Sequence, residues 1–373
     1  VDHQWRIIGL PSIAGATETA STEETRFFQA SLPRRISPGT SSPAGTNTAA
    51  QAILAQLETL DGQLAAATTV QQQAQLNDKR VDLLERLVAT AEKAEMRSTW
   101  IQQLADTVSA AVQAGQYAAG IGRLQKLALQ LEKEKDLENL SYVRFRYLAA
   151  RYGQQLQQPK ADYQKIQSQW TKDLTQLIET FVEHADVSEA MLQLAIAHEF
   201  AGEEDQAIHW YTEVVDRFGQ TDKALKARGA KRRLQSVGKV LDFKGKTIAG
   251  KQLDLKSLRG RVVLVHYWAS WCEPCKQDLK VIQATQRKYG SAGFAPIGIN
   301  LDSDRQAAMR QLRVAPLPWP QLHEAGGLDS RLANELGIMT LPTMLLVDQQ
   351  GKVVSRSLHA SDLDEQLADL LKK

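Results

Sequence analysis

The sequence of 373 residues predicts a multidomain protein, in which an all-α-helical part precedes an α/β part with a central mixed sheet. Between Pro43 and Pro274 the only proline is Pro159, and this stretch is rich in Ala, Leu, Gln, Glu and Lys, which are strong helix formers. From about residue 237 onward, short apolar runs alternate with amphipathic segments, as expected for alternating strands and helices.

The amino-acid composition limits the kinds of molecule that the protein is expected to bind. Lys and Arg number 45 and Asp and Glu number 43, so the formal net charge is only +2. This balance predicts no nucleic-acid partner, and no apolar run approaches the roughly 18–20 residues that a membrane helix needs. Residues 1–45 are rich in Ser, Thr, Ala and Gly, show no helical or strand period, and contain no apolar core of a signal peptide. They predict a disordered arm or linker.

Residues 46–236 predict eight or nine helices that form an interaction domain, because apolar side chains recur at spacings of three and four. One segment, 191–218, resembles a tetratricopeptide repeat. The matching positions are Leu194, Ala195, Gly202, Ala207 and Tyr211. A weaker echo at 115–117 does not lie a whole number of repeats away, so a plain antiparallel helical bundle stays open as the alternative.

Residues 237–373 predict strands that alternate with helices and end in a hairpin, which indicates a mixed sheet covered on both faces. The longest apolar strand, 261–268, reads RVVLVHYW. The predicted strands are 252–255, 261–268, 294–300, 343–347 and 353–358, and the predicted helices are 273–289, 303–312, 328–335 and 361–371.

The only two cysteines, Cys272 and Cys275, follow the strand 261–268 and open the next predicted helix. At a helix N-terminus the unpaired amide groups favour a thiolate, which predicts Cys272 as the nucleophile. Cys275 lies one turn later, where it can attack a mixed disulfide and release the product. Pro274 is tolerated in the first turn, since its missing N–H needs no partner there. The motif therefore predicts thiol–disulfide exchange, with Trp271 and Glu273 beside the sulfurs as substrate-contact residues.

The segment 268–276, WASWCEPCK, resembles the active site of the thioredoxin superfamily and, within it, the TlpA/ResA-like thiol–disulfide oxidoreductases. Leu341-Pro342-Thr343 resembles the cis-proline loop of that family. The resemblance implies a thioredoxin fold over 237–373, a cis Leu341–Pro342 bond and no cofactor. It implies that the loop with Leu341 and Pro342 faces the cysteines and, with Trp271, Glu273 and Pro274, contacts the substrate, to which it offers backbone groups. It also implies protein thiol or disulfide substrates, an upstream redox donor, and a place outside the cytoplasm, in the periplasm or cell envelope, with residues 1–45 following an export signal or anchor.

Two polar residues near the motif are candidates for a proton relay. The family commonly has Glu three residues after the second cysteine and a proline two residues later, and this chain has Asp278 and Lys280 there. His266 stands six residues before Cys272, where relatives carry a buried Asp or an Asn. It is either a proton donor and acceptor for Cys275, since imidazole titrates near neutrality, or a core histidine with satisfied hydrogen bonds.

The leading functional hypothesis is an oxidoreductase that exchanges disulfides with proteins, more often as a reductant, while the helical domain positions partners. The alternative is a helical scaffold that carries a redox-sensing module, in which oxidation of Cys272 and Cys275 changes docking. A metal site is disfavoured, because two cysteines fall short of the four ligands of structural zinc and Pro342 is expected beside them. A peroxidase is disfavoured too, since it would need a single cysteine flanked by Thr and Pro.

Overall fold

The computed structural model describes residues 48–372, so the predicted arm at 1–45 lies outside the described residues. The described chain divides into two compact units between Ala197 and His198. The sequence predicts the end of the helical domain near residue 236, whereas the helices between His198 and that point associate with the sheet. Within 48–372, no helix is both long enough and apolar enough to span a bilayer.

The described part of the first unit is helical, as predicted. The helices are α1 Thr48–Ala66, α2 Val70–Thr90, α3 Ala94–Gln113, α4 Gly120–Glu134, α5 Leu137–Leu156, α6 Tyr163–Thr180 and α7 Val187–Phe200, the last of which crosses the division. From α1 to α6 each helix packs on the next, and α3 also packs on α5. Asp136 and Asp162 cap α5 and α6, since each side chain accepts a hydrogen bond from a backbone N–H three residues later. Whether this stack is tetratricopeptide-like stays a prediction.

The second unit combines helices with a mixed sheet. Its elements are α8 Glu204–Phe218, α9 Asp222–Leu234, β1 Lys244–Lys246, β2 Gln252–Asp254, β3 Val262–Trp268, α10 Glu273–Tyr289, β4 Phe294–Asn300, α11 Arg305–Val314, β5 Gln321–His323, α12 Arg331–Asn334, β6 Thr343–Val347, β7 Val353–Ser355 and α13 Leu363–Leu370. The five-stranded sheet has the order β5-β4-β3-β6-β7. Strand β3 pairs in parallel with β4 and antiparallel with β6, and β1 and β2 form a separate antiparallel hairpin. The predicted mixed sheet is confirmed, whereas the sequence did not predict β1 and β5.

The ends of the central strands define the edge of the sheet at which a functional site is expected. Every residue of β3 and β4 is buried, as expected for parallel strands covered on both faces. Trp268 at the end of β3 pairs with Asn300 at the end of β4, and Tyr267 pairs with Thr343 at the start of β6. The carboxyl ends of two strands and the start of a third therefore share one edge, the edge at which open α/β sheets place their sites.

The backbone of helix α9 packs closely against the segment Asn334–Gly337, which precedes β6. A Cβ added at Gly229 would lie 2.1 Å from the Asn334 carbonyl oxygen, and one added at Gly337 would lie 2.1 Å from the Ala230 nitrogen. Arg233, which is buried, donates from Nε to the Leu336 carbonyl at 3.1 Å and forms an ion pair with Glu199. These contacts explain why α9 belongs with the sheet rather than with the first unit.

Candidate active site

Cys272 and Cys275 form a disulfide, with their Cα atoms 5.2 Å apart. Cys272 is the N-cap residue of α10, and the backbone N–H of Cys275 donates to Cys272 Sγ at 3.2 Å. Cys272 is 1% exposed and Cys275 is fully buried. The first turn of α10 thus directs an amide donor at the Cys272 sulfur, and this donor together with the helix dipole stabilises negative charge on that sulfur.

A buried carboxylate holds the loop that carries Cys272, and sequence reasoning missed it. Asp302 is 1% exposed, and both of its carboxylate oxygens accept from the Ser270 backbone N–H at 3.1 Å. Ser270 Oγ donates to Asp302 Oδ1 at 2.8 Å, and Asn300 Nδ2 donates to Oδ2 at 2.7 Å. The signal that was available is position: Asn300 and Asp302 are polar residues at the carboxyl end of a buried parallel strand.

The Leu341–Pro342 peptide bond is cis, the geometry that the resemblance implied. Thr343, the next residue, opens β6 opposite Tyr267 of β3, and Thr343 Oγ1 donates to the Thr340 carbonyl at 2.8 Å. The register therefore brings Leu341 and Pro342 to the same sheet edge as the cysteines. Contact between this loop and a substrate chain stays a prediction.

His266 lies in the middle of β3 and is fully buried. Neither Nδ1 nor Nε2 has a hydrogen-bond partner among the described residues, so the prediction of a histidine with satisfied hydrogen bonds is wrong. Burial lowers the pKa of His266 to about 3, because a low-dielectric surrounding disfavours the charged imidazolium. The ring is therefore neutral at physiological pH.

Asp278 lies one helical turn after Cys275 on α10 and is half-buried. Burial raises the pKa of its carboxyl group to about 6, since partial removal from water disfavours the carboxylate. Of the two predicted relay residues, Asp278 is the one whose ionisation falls near neutral pH.

The remaining predicted residues surround the sulfurs along the start of α10. Trp271 and Pro274 are half-buried, and Glu273 is exposed. Lys276 Nζ lies 3.0 Å from Glu273 Oε2, so these two opposite charges largely offset each other beside the disulfide. Among residues 48–372, no three His, Cys, Asp or Glu side chains cluster in a way that could hold a metal ion.

Known proteins resemble the last third of the chain. The model of the AhpC/TSA family matches residues 237–356. Thiol-disulfide oxidoreductase ResA of Bacillus thuringiensis subsp. konkukian (strain 97-27) is 29% identical over 126 residues, which cover 34% of this chain and 70% of ResA. ResA of Bacillus anthracis is 28% identical over 143 residues, covering 38% of this chain and 80% of the relative.

Solved structures match the same region. A putative thiol:disulfide interchange protein DsbE from Chlorobium tepidum is 30% identical, with a TM-score of 0.33, and the match covers 37% of this chain and 98% of that one. Residues 237–356 form a thioredoxin-like domain that matches the model of the AhpC/TSA family and is similar in sequence to ResA-type thiol–disulfide oxidoreductases.

Proposed function

We propose that this protein is a thiol–disulfide oxidoreductase that acts on protein substrates, with Cys272 as the nucleophile and Cys275 as the resolving cysteine. The observation that carries the proposal is the position of Cys272 at the N-cap of α10, bonded to Cys275 and contacted by the Cys275 N–H. The names of the ResA relatives support the same activity.

In the reducing direction, the Cys272 thiolate attacks one sulfur of a substrate disulfide and forms a mixed disulfide, while the other substrate sulfur leaves as a thiolate. The Cys275 thiolate then attacks Cys272 Sγ and releases the second substrate sulfur. Two electrons pass to the substrate, which gains two thiols, and the Cys272–Cys275 disulfide is left. A dithiol donor of the same chemistry restores the reduced pair. The resemblance to the TlpA/ResA-like group supports reduction as the main direction.

Asp278 is proposed as the acceptor of the Cys275 proton in the resolving step. A base is useful near its own pKa, and the pKa of about 6 at Asp278 is closer to neutrality than the pKa of about 3 at His266. Asp278 also lies on the same helix as Cys275, one turn further on. His266 serves instead as a neutral, polarisable member of the core of β3.

The surface that receives the substrate is proposed to comprise Trp271, Glu273 and Pro274 on one side and Leu341 and Pro342 on the other. The shared sheet edge supports this grouping, as Cys272 follows β3 and Pro342 precedes β6. The resemblance to the cis-proline loop implies that backbone groups of this segment pair with an extended substrate chain.

The proposed division of labour follows the predicted domains, an arm at 1–45, a helical interaction domain at 46–236 and a thioredoxin-like domain at 237–373. The compact helical unit itself ends at Ala197. The helical domain selects or positions protein partners, among them substrates and the redox donor. We place the protein outside the cytoplasm, in the periplasm or cell envelope. The TlpA/ResA-like resemblance supports that location.

Turnover of insulin disulfides by the full chain, with dithiothreitol as donor, tests the proposal. Cys272→Ser should abolish turnover, whereas Cys275→Ser should accumulate a mixed disulfide with the substrate, because the resolving attack is missing. Redox-dependent binding of a partner without any turnover would instead support the redox-sensing scaffold. A wild-type chain that neither turns over insulin nor forms the mixed disulfide as Cys275→Ser would contradict the proposed activity.

A further inference from the structure

A cationic cavity of about 360 Å³ lies at the end of α9, between that helix, the segment after it and Leu336. Four basic side chains line it: Arg228, Lys231 and Arg232 from α9, and Lys239 from the following segment. None of the described residues that line the cavity is acidic. The cavity is therefore a local concentration of positive charge in a chain whose net charge is only +2.

Three of these cations, Lys231, Arg232 and Lys239, differ from Arg233 and Lys226 of α9. Arg233 is buried against Glu199, and Lys226 Nζ lies 2.5 Å from Asp329. By contrast, no ion pair within the described part of the chain engages Lys231, Arg232 or Lys239. A cation in the last turn interacts favourably with the helix dipole, but Arg228 precedes the last turn of α9 and Lys239 lies beyond the helix. Helix capping alone thus leaves the cluster unexplained.

Ser236 gives a second, independent sign of a ligand. It lines the same cavity, is only 6% exposed, and its Oγ has no hydrogen-bond partner among the described residues. Buried hydroxyls are almost always paired, and a hydroxyl can donate a hydrogen bond to a carboxylate.

Aliphatic side chains lie between the cations in the walls. Val215, Val240, Leu241 and Leu336 line the cavity together with Gln235 and Ser236, and Val240 is 51% exposed to solvent. The volume suits a few side chains rather than a folded domain, and aliphatic surface between cations fits a peptide in which acidic and aliphatic residues are mixed. We propose that this cavity binds an acidic segment of the substrate protein, as a docking site separate from the cysteines.

The position of the cavity supports this role. Leu336 lines it, and α9 is fixed to the same stretch by the Gly229–Asn334 approach and by the Arg233 hydrogen bond to the Leu336 carbonyl. Pro342 lies six positions after Leu336. Because an extended residue spans at most about 3.6 Å, the cavity edge lies within about 22 Å of the cis-proline loop. One extended substrate chain of fewer than about ten residues bridges that distance. The identity of the occupant rests on the proposed function, whereas its acidic chemistry rests on the cavity.

The test measures binding apart from redox turnover. Fluorescence anisotropy of the oxidised full chain is followed with a labelled decapeptide of alternating Glu and Leu, and with the matched Gln–Leu peptide. One triple variant combines Lys231→Gln, Arg232→Gln and Lys239→Gln. This cavity variant should bind the Glu–Leu peptide at least about tenfold more weakly than wild type, and its binding should depend less on salt. The control removes three exposed cations outside the cavity, by Lys251→Gln, Arg310→Gln and Arg313→Gln, and should bind as wild type does.

Equal affinity for the Glu–Leu and Gln–Leu peptides, unchanged binding by the cavity variant, or equal losses in both triple variants would overturn the docking site. Equally tight, cavity-dependent binding of a labelled oligothymidylate would overturn the peptide as occupant. Turnover of a small neutral disulfide is measured in parallel and should be unchanged in both variants. If wild type does not turn over this disulfide, the proposed function is contradicted but the docking site is not, since the binding result does not depend on turnover.

Discussion

Asp302 accepts hydrogen bonds from the Ser270 backbone N–H with both carboxylate oxygens at 3.1 Å, two residues before Cys272, the proposed nucleophile. Ser270 Oγ adds a third hydrogen bond, at 2.8 Å to Oδ1. The carboxylate is itself oriented by Asn300 Nδ2 at 2.7 Å. The loop between β3 and α10 is therefore fixed to the end of β4 by one side chain, and this arrangement sets where the N-cap sulfur lies.

Asp302→Asn should loosen that loop while nearly preserving the side-chain volume. An amide offers one acceptor oxygen in place of two, and its NH₂ group would face the Ser270 N–H. We expect a loss of stability of about 1–3 kcal/mol in urea unfolding, because a buried donor is left unpaired. Disulfide turnover should fall at least tenfold, since small displacements of a reacting group are costly. The exposed Asp369→Asn is the control, and equal turnover by both variants would contradict a positioning role for Asp302.

Asp278→Asn should change the pH profile of turnover. With the pKa of Asp278 near 6, wild-type turnover should decline as pH falls below about 6, where the carboxylate becomes protonated. The Asn variant should lack that decline and have a lower plateau, at least tenfold down at pH 7.5, because general-base assistance contributes roughly 10²–10⁴-fold. Asp278→Glu, which restores the residue common in relatives, should recover most of the rate. An unchanged profile in Asp278→Asn would remove the proposed acceptor.

The same carboxyl group predicts a pH dependence of stability. Its pKa is raised on folding, so the native state holds the proton more tightly than the unfolded chain does. Its contribution is therefore fully present below the unfolded pKa of about 4 and is lost as pH rises through about 6. Relative to Asp278→Asn, the wild type should lose stability between pH 4 and pH 6.5. Urea midpoints for oxidised protein across that range measure the difference, and parallel curves would contradict the raised pKa.

Elements with strong local signals were predictable, and those made by long-range contacts were not. Strand β3 reads as seven buried residues, so its apolar run predicts it directly. Strand β5, Gln321–His323, has three residues and one apolar side chain, and it exists because it pairs with β4. Likewise α9 shows helical composition, but its attachment to Asn334–Gly337 joins positions about a hundred residues apart in the chain.

The site divides in the same way. Cys272 and Cys275 are predictable because strand, motif and helix start are contiguous in sequence. The Ser270–Asp302 contact joins residues 32 positions apart and depends on two strands ending at one edge. His266 was predictable as a buried position, but its lack of hydrogen-bond partners depends on neighbours such as Gly298 and Met344, which pair with it across the sheet and offer no polar side chain.

His266→Asn tests the neutral state of this imidazole. Its pKa is depressed on folding, so its contribution to stability is present above the unfolded pKa of about 6.5 and is lost as pH falls. At pH 5 the loss should be about 2 kcal/mol relative to pH 7.5, since each pKa unit corresponds to about 1.4 kcal/mol. The variant should lack this loss, while the exposed control His209→Asn should retain it. Turnover at pH 7.5 should stay within about threefold of wild type, and a larger fall would restore His266 as a relay residue.

Gly229→Ala tests the close approach of α9 to the segment before the cis-proline loop. The new methyl group would lie 2.1 Å from the Asn334 carbonyl oxygen and 2.3 Å from the Gly337 nitrogen, so backbone must move. We expect a loss of about 1–3 kcal/mol in urea unfolding, in line with other overpacked sites. Gly122→Ala in α4, where nothing lies within 4 Å of the added carbon, should instead gain about 0.5–1 kcal/mol from the lower entropy of the unfolded chain. If both variants proved equally stable, α9 could not be rigidly seated on Asn334–Gly337, and a fixed path from the cationic cavity to Pro342 would be lost.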